Sequence, residues 1–371
     1  GRTSSTALLI GFAKIFIVLI LLMFCCVISC KSDFEDKSTP INTDRHLRHI
    51  HDTIGFATLD WQMDSIYKRL GVIDRDNDLA WKAAISPHDD YKYAGQLYYE
   101  SLRGINADKV ILIGVAHRAR NFNLQDKLIF GNFTHWKSPY GNLKVSPINQ
   151  EIIKKLDKEM FVIHDSMQVL EHSLEAIVPF LHKKNPSLEI VPILVPYMKY
   201  NRIDHISDAL SSLVNDVLKE HDLVFGEDVA VVISNDAVHY GNEDWGANLA
   251  PFGVTEKGTQ KARQLDVEII ENCLVNNLTR NKIERFTKYT VQSDNYKEYK
   301  WVWCGRYSVP FGLDFANKLN LQINNTPLHG DFIGYQSSID HDLIEVEDLG
   351  MGTTARANQK HWVAYASLKY E

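Results

Sequence analysis

The chain has 371 residues, 45% of them hydrophobic and 23% charged, enough for one large domain or two ordinary ones. Its net charge of -7 and pI near 6.1 argue against a nucleic-acid binder, which carries a basic surplus. Five cysteines, none in a C-x-x-C pattern, argue against a zinc ribbon or a cysteine-ligated iron–sulfur cluster.

The N-terminus reads as an address. Arg2 and Lys14 precede "IFIVLILLMFCCVIS" (residues 15–29), then Cys30 and a polar run. A cationic start, a short apolar core and a small residue before the break match a secretory signal. The "VISC" ending looks like a bacterial lipobox, with cleavage before a lipidated Cys30. An uncleaved membrane anchor is the competing reading, because residues 7–29 approach spanning length. Either one places the body outside the cytoplasm, at the cell envelope. Residues 31–42 read as a polar tether and residues 43–371 as one domain.

Within the body, "AAIS" (83–86), "KVILIGVA" (109–116), "EIVPILVPY" (189–197) and "DVAVVISND" (228–236) are short, branched apolar runs. They fit strands buried on both faces of a mostly parallel sheet. Residues 149–160 and 202–221 space their apolar residues for amphipathic helices. The alternation predicts a layered α/β domain with a parallel or mixed central sheet. "DFIGYQSSID" and "HWVAYASLKYE", near the end, read as an antiparallel pair of strands.

Reactive side chains gather at the ends of these runs. "AAISPH" ends in His88 and "ILIGVAH" in His117. "VVISNDAVH" ends in Asp236 and His239, and "WVWCGR", read as a fourth strand, in Cys304 and Arg306. "EHSLE" (171–175) opens an expected helix and offers Glu171, His172 and Glu175. Ligands in open α/β sheets bind beyond the carboxyl ends of strands. Imidazole, carboxylate and thiolate are ligands of first-row metals, and a thiolate admits iron or copper. Other readings stay open. Cys304 and a histidine could form a nucleophile and base, or pair Cys304 with Cys273 in a disulfide. Asp236 could orient His239 or cap a helix. Tyr91 and Tyr93 could line the pocket or pack beneath its loop. Asp89 and Asp90 would draw a cation or point into water.

In order along the chain, "SPHDDYKYAG", "LIGVAHR", "EHSLEAIVPFL", "IVPILVPY", "ISNDAVHYG", "CGRYSV" and "VAYASLKY" resemble the Memo family. Its bacterial and archaeal members are called AmmeMemoRadiSam system protein B. The resemblance covers about residues 83–370. It implies a fold like the class III extradiol dioxygenases. It implies a pocket built on His88, His117, Asp236, His239 and Cys304, with iron or copper held by His88, His117 and Cys304. His239 and Asp236 are then the acid–base candidates. His172 and Glu175 match its pocket. Animal members of the family are associated with phosphotyrosine peptides. The chain departs from the family pattern where "PHDDY" replaces Pro-His-Ala-Gly-Tyr and "GVAH" replaces Gly-Pro-Ser/Asn-His. The expected functions are therefore a metal-dependent redox or dioxygenase-like reaction on an unknown substrate, a non-catalytic module binding a small molecule or peptide, or metal capture at the envelope.

Overall fold

The computed structural model describes residues 46–72, 78–243, 248–339 and 343–371. Arg45–Glu371 forms one compact unit. The N-terminal apolar segment, Cys30 and the polar tether lie outside the described residues. Among the described residues no helix is long and apolar enough to cross a membrane.

The four apolar runs become parallel neighbours in the order Glu189–Val195, Lys109–Val115, Val229–Ser234 and Ala83–Ser86. His361–Tyr370 pairs antiparallel with Ala83–Ser86, and His329–Ser337 pairs antiparallel with His361–Tyr370. On the opposite side Gly141–Val145 runs parallel to Glu189–Val195, and His135–Ser138 continues antiparallel. Shorter strands complete a mixed sheet of thirteen strands among the described residues.

Successive strand residues point to opposite faces, so a strand apolar at both phases needs cover on both. Ile111, Ile113, Ile193, Val231 and Ile233 join one core cluster; Val110, Leu112, Leu194, Ala230 and Val232 join the other. Tyr200–Glu220 and Ser308–Asn324 pack on each other and cover the first face. Tyr91–Leu102 and Val178–Lys184 cover the second. The result is a single α/β domain of three layers. Gly312 sets one helix–sheet distance: a Cβ there would lie 2.5 Å from the Ile233 side chain.

The helix expected over 202–221 spans Tyr200–Glu220, burying Ile203, Ile206, Leu210, Val214 and Val217 at three- and four-residue spacing. The one expected over 149–160 spans Pro147–Lys155. Ser146 caps it by accepting from the Ile148 N–H, and Pro147 needs no hydrogen bond in the first turn. It ends early because the Met160 carbonyl accepts from the Leu128 N–H at 2.9 Å, which starts the strand Phe161–Ile163.

Two expectations are corrected, and one open reading closes. Residues 301–306 are not a strand. Trp303 makes an isolated bridge to Val238, and the chain then turns into the helix Ser308–Asn324. Residues 171–175 do not start a helix. The Glu171 side chain binds across to His117 and to the Ser173 N–H, and the helix begins at Val178 with Pro179 in its first turn. Cys273 and Cys304 are both free thiols, because they belong to separate places in the fold.

Candidate metal centre

Three parallel strands deliver their ends to one place. Ala83–Ser86 leads through Pro87 to His88, Lys109–Val115 through Ala116 to His117, and Val229–Ser234 through Asn235 to Asp236. His239 begins the short strand His239–Gly241, held antiparallel against His361–Tyr370. Cys304 sits on the turn after the Trp303 bridge, its N–H donating to the Asp236 carbonyl at 3.1 Å. Gly305 makes that turn possible. Its N–H donates to Asn235 Oδ1 at 2.9 Å, and a Cβ would lie 2.5 Å from that oxygen.

The hydrogen bonds fix which ring nitrogen each histidine offers. The Ser234 hydroxyl donates to the Ser173 carbonyl at 2.8 Å, so toward His88 it is an acceptor. His88 Nδ1 lies 2.7 Å away and must carry the proton, which leaves the Nε2 lone pair for a ligand. His117 Nδ1 lies 2.8 Å from Glu171 Oε1. A carboxylate only accepts, so the proton is again on Nδ1 and the lone pair on Nε2. A carboxylate or hydroxyl behind a ligating histidine is the usual support of a metal site. Glu171 also accepts from the His117 N–H at 2.7 Å. Burial raises its pKa, but His117, His172 and the Ser173 N–H outweigh burial and hold the carboxyl down at about 2.

Opposite these rings, Cys304 Sγ lies 3.0 Å from His239 Nε2. Burial, with Asp236, Asp89 and Glu171 nearby, pushes the thiol well up. Burial, with His117 beyond it, pulls His239 down to about 3. Both groups are therefore neutral, and one hydrogen bond joins Sγ and Nε2. Asp236 accepts from the His88 N–H at 2.9 Å, and its second oxygen lies 3.4 Å from His88 Nε2. It does not cap a helix. Burial and the neighbouring Asp89 push its carboxyl well up.

His172 completes a cluster of imidazoles. Its ring stacks on His117 at 4.8 Å and meets His88 edge-on at 5.4 Å. Burial and His117 lower it to about 4. The same two causes, burial first, hold His88 well below the ordinary imidazole range. Imidazoles crowded beside carboxylates, with His88, His172 and His239 kept neutral by burial, offer donors for a cation.

The donor set fits a metal. Ligand atoms of His88, His117 and Cys304 lie within 4.8 Å of one another, as do those of Asp236, His239 and Cys304, and of His117, Glu171 and His172. A fourth group, Glu151, Glu220 and His221, lies on the surface; there Glu220 pairs with Lys155 and His221 with Glu151.

The side chains open onto a cavity of about 430 Å³. Phe56, Leu170, Tyr299 and Val302 give it apolar walls, and Asp52, Asp90, Arg118 and Thr354 give it polar ones. Asp89 accepts from the Tyr365 hydroxyl at 2.6 Å, and Asp90 accepts from the Thr354 N–H at 2.7 Å. Both carboxylates thus face partners rather than water. Burial and Asp89 push Asp90 up to about 7.

Three expected pocket residues lie elsewhere. Tyr91 packs beneath the loop, its hydroxyl donating to the Ala176 carbonyl at 2.5 Å. Glu175 forms a buried ion pair with Arg48. Arg306 lies one layer back, its guanidinium stacked 3.2 Å from the ring of Tyr299. Ser234, Phe56, Tyr299, Thr354 and Arg48 went unnoticed in the sequence. Ser234 ends an apolar run and offered a signal; the others sit in no pattern of their own.

The order of motifs agrees with the comparisons. The family described as Memo-like protein matches residues 56–354. The chain belongs to the Memo-like family. A MEMO1 family protein of Pyrococcus abyssi is 25% identical over 269 residues, covering 71% of this chain and 84% of the relative. A MEMO1 family protein of Saccharolobus solfataricus is 26% identical over 194 residues, 49% of this chain and 60% of the relative. One from Sulfurisphaera tokodaii is 27% identical over 163 residues, 42% and 52%. In the last two the matched part is about half the relative's length. Arg48 precedes the stretch that the family match covers, so the Memo-like chain supports its His117 side from outside it.

Proposed function

We propose that His88, His117 and Cys304 hold an iron or copper ion and that the cavity binds a small ligand for a redox, dioxygenase-like reaction. The observation that carries this is the pair of histidines fixed with Nε2 lone pairs beside Cys304 Sγ, all three within 4.8 Å. When bound, the ion would supply one-electron redox chemistry and open positions for a chelating ligand.

The protein's own groups do the rest. Metal ligation needs a thiolate, and His239 Nε2 stands 3.0 Å away to take the Cys304 proton. The same imidazole then has a proton to give to a bound ligand. Asp236 keeps the His88 loop in place through its N–H. Phe56, Leu170 and Val302 keep water from the bound ligand.

The test is metal content of residues 31–371, purified without oxygen and offered Fe(II), Cu(I) or Zn(II). Near-stoichiometric metal in the wild type that is lost in His88→Ala and Cys304→Ser is the expected result. Retention in both variants would overturn the assignment; uptake of zinc alone would remove the redox chemistry.

The partly apolar walls favour a second reading, capture of a ligand or peptide without turnover. Equal ligand binding by metal-free and loaded protein would select it. Anchoring at the cell envelope through Cys30 rests on the sequence alone; cell fractionation of a Cys30→Ala variant tests it.

A further inference from the structure

The structure points to a second tier of control, on the Cys304 side of the site. Asp266, on the helix Glu256–Cys273, is fully buried. Four donors converge on its carboxylate. Oδ1 accepts from Trp301 Nε1 at 2.7 Å and Trp303 Nε1 at 2.6 Å. Oδ2 accepts from the Tyr335 hydroxyl at 2.7 Å and the Val238 N–H at 3.3 Å. Neither indole side chain has another donor.

Three of those donors belong to the two segments that carry His239 and Cys304; the fourth, Tyr335, comes from the strand His329–Ser337. Val238 precedes His239, and Trp303 precedes Cys304. The segments also hold each other: Val238 bridges Trp303, the His239 N–H donates to the Val302 carbonyl at 3.0 Å, and the Cys304 N–H donates to the Asp236 carbonyl. Asp266 grips both at once from behind. No other strand or helix supplies a charged group to this junction among the described hydrogen bonds.

We propose that Asp266 is the positioning residue for the His239–Cys304 half of the metal centre. It touches neither metal nor ligand; it sets the distance between the thiol and the imidazole and aims the thiol at His88 and His117. This rests on the metal reading above. Asn in its place would keep the shape but turn an N–H group against the indoles or the Val238 N–H. Buried donors without acceptors move or destabilise. The segments would part while His88 and His117, on other strands, stay put.

The test uses the full chain loaded with cobalt(II), whose thiolate charge-transfer absorption reports the sulfur ligand. In Asp266→Asn we expect that band to be lost or strongly weakened, with affinity lower by roughly ten-fold, the scale of supporting-group changes. Trp303→Phe removes one of the four donors and should weaken the band in the same direction; it decides the question if Asp266→Asn does not fold. An unchanged band and affinity in the folded variants would overturn the proposal, whatever happens to melting temperature. A wild type with no cobalt band would sink the metal reading instead. The positioning role is then read from alkylation of metal-free protein. Site-resolved alkylation of Cys304 should change several-fold in the variants while buried Cys273 stays protected, and an unchanged Cys304 rate would overturn it.

Discussion

Glu171 holds His117 at two points: one carboxylate oxygen accepts the backbone N–H at 2.7 Å and the other accepts Nδ1–H at 2.8 Å. The first fixes where the residue sits, and the second fixes which nitrogen faces the cavity.

Glu171→Gln should therefore keep the fold and weaken the centre. The amide has one acceptor oxygen where the carboxylate has two, so one of the two His117 contacts is lost. Metal affinity is expected to drop roughly 10- to 100-fold, measured by competition with a chelator. Affinity equal to wild type would mean that His117 is not a ligand.

Arg48 is fully buried. It donates to the carbonyls of Gln168, Val169 and Glu171 at 2.9, 3.1 and 3.0 Å. It also pairs with Glu175 and lies 4.2 Å above the Trp136 ring. Arg48→Met strands the Glu175 charge and should destabilise by about 3–5 kcal/mol in denaturant unfolding. The double variant Arg48→Met, Glu175→Gln should recover part of that. No recovery would mean that the lost carbonyl bonds, not the stranded charge, dominate.

The buried Asp266 carboxyl gives a pH signature. Burial raises it from 3.8 to about 6 against its four hydrogen bonds. The folded state thus keeps a proton that the unfolded chain has already released. Its contribution to stability is full below about pH 4 and is lost as pH rises through about 6, on the order of 3 kcal/mol in all. The wild type minus Asp266→Asn difference in unfolding free energy should fall between pH 4 and 6. A flat difference would mean that the carboxyl titrates near its ordinary value.

Gly305→Ala tests the turn beneath Cys304. Its methyl would lie 2.5 Å from Asn235 Oδ1, too close for contact. We expect a loss of stability of about 1–3 kcal/mol and weaker metal binding, because the turn that aims Cys304 must move. Gly305→Ala with unchanged metal affinity would show that Asn235 yields instead.

The four central strands were legible because their sequences are branched and apolar at both phases, a pattern only a doubly covered sheet satisfies. The ends of three of those strands gave His88, His117 and Asp236. The Trp301–Arg306 segment misled for a physical reason. Its two tryptophans look like strand residues, yet both indoles turn to one carboxylate 35 and 37 residues away in sequence. Glu175 misled similarly, since its partner Arg48 is 127 residues away. Local spacing carries no trace of such pairings.

The proposed ligands sit at positions 88, 117 and 304 of the chain. A nascent chain that has made the first two histidines lacks the thiol until most of the domain has been synthesised. High contact order of this kind delays closure until late in folding. Ion capture at the proposed centre would then belong to the finished domain rather than to its folding, and a bound ion would stabilise what has already been built by mass action alone.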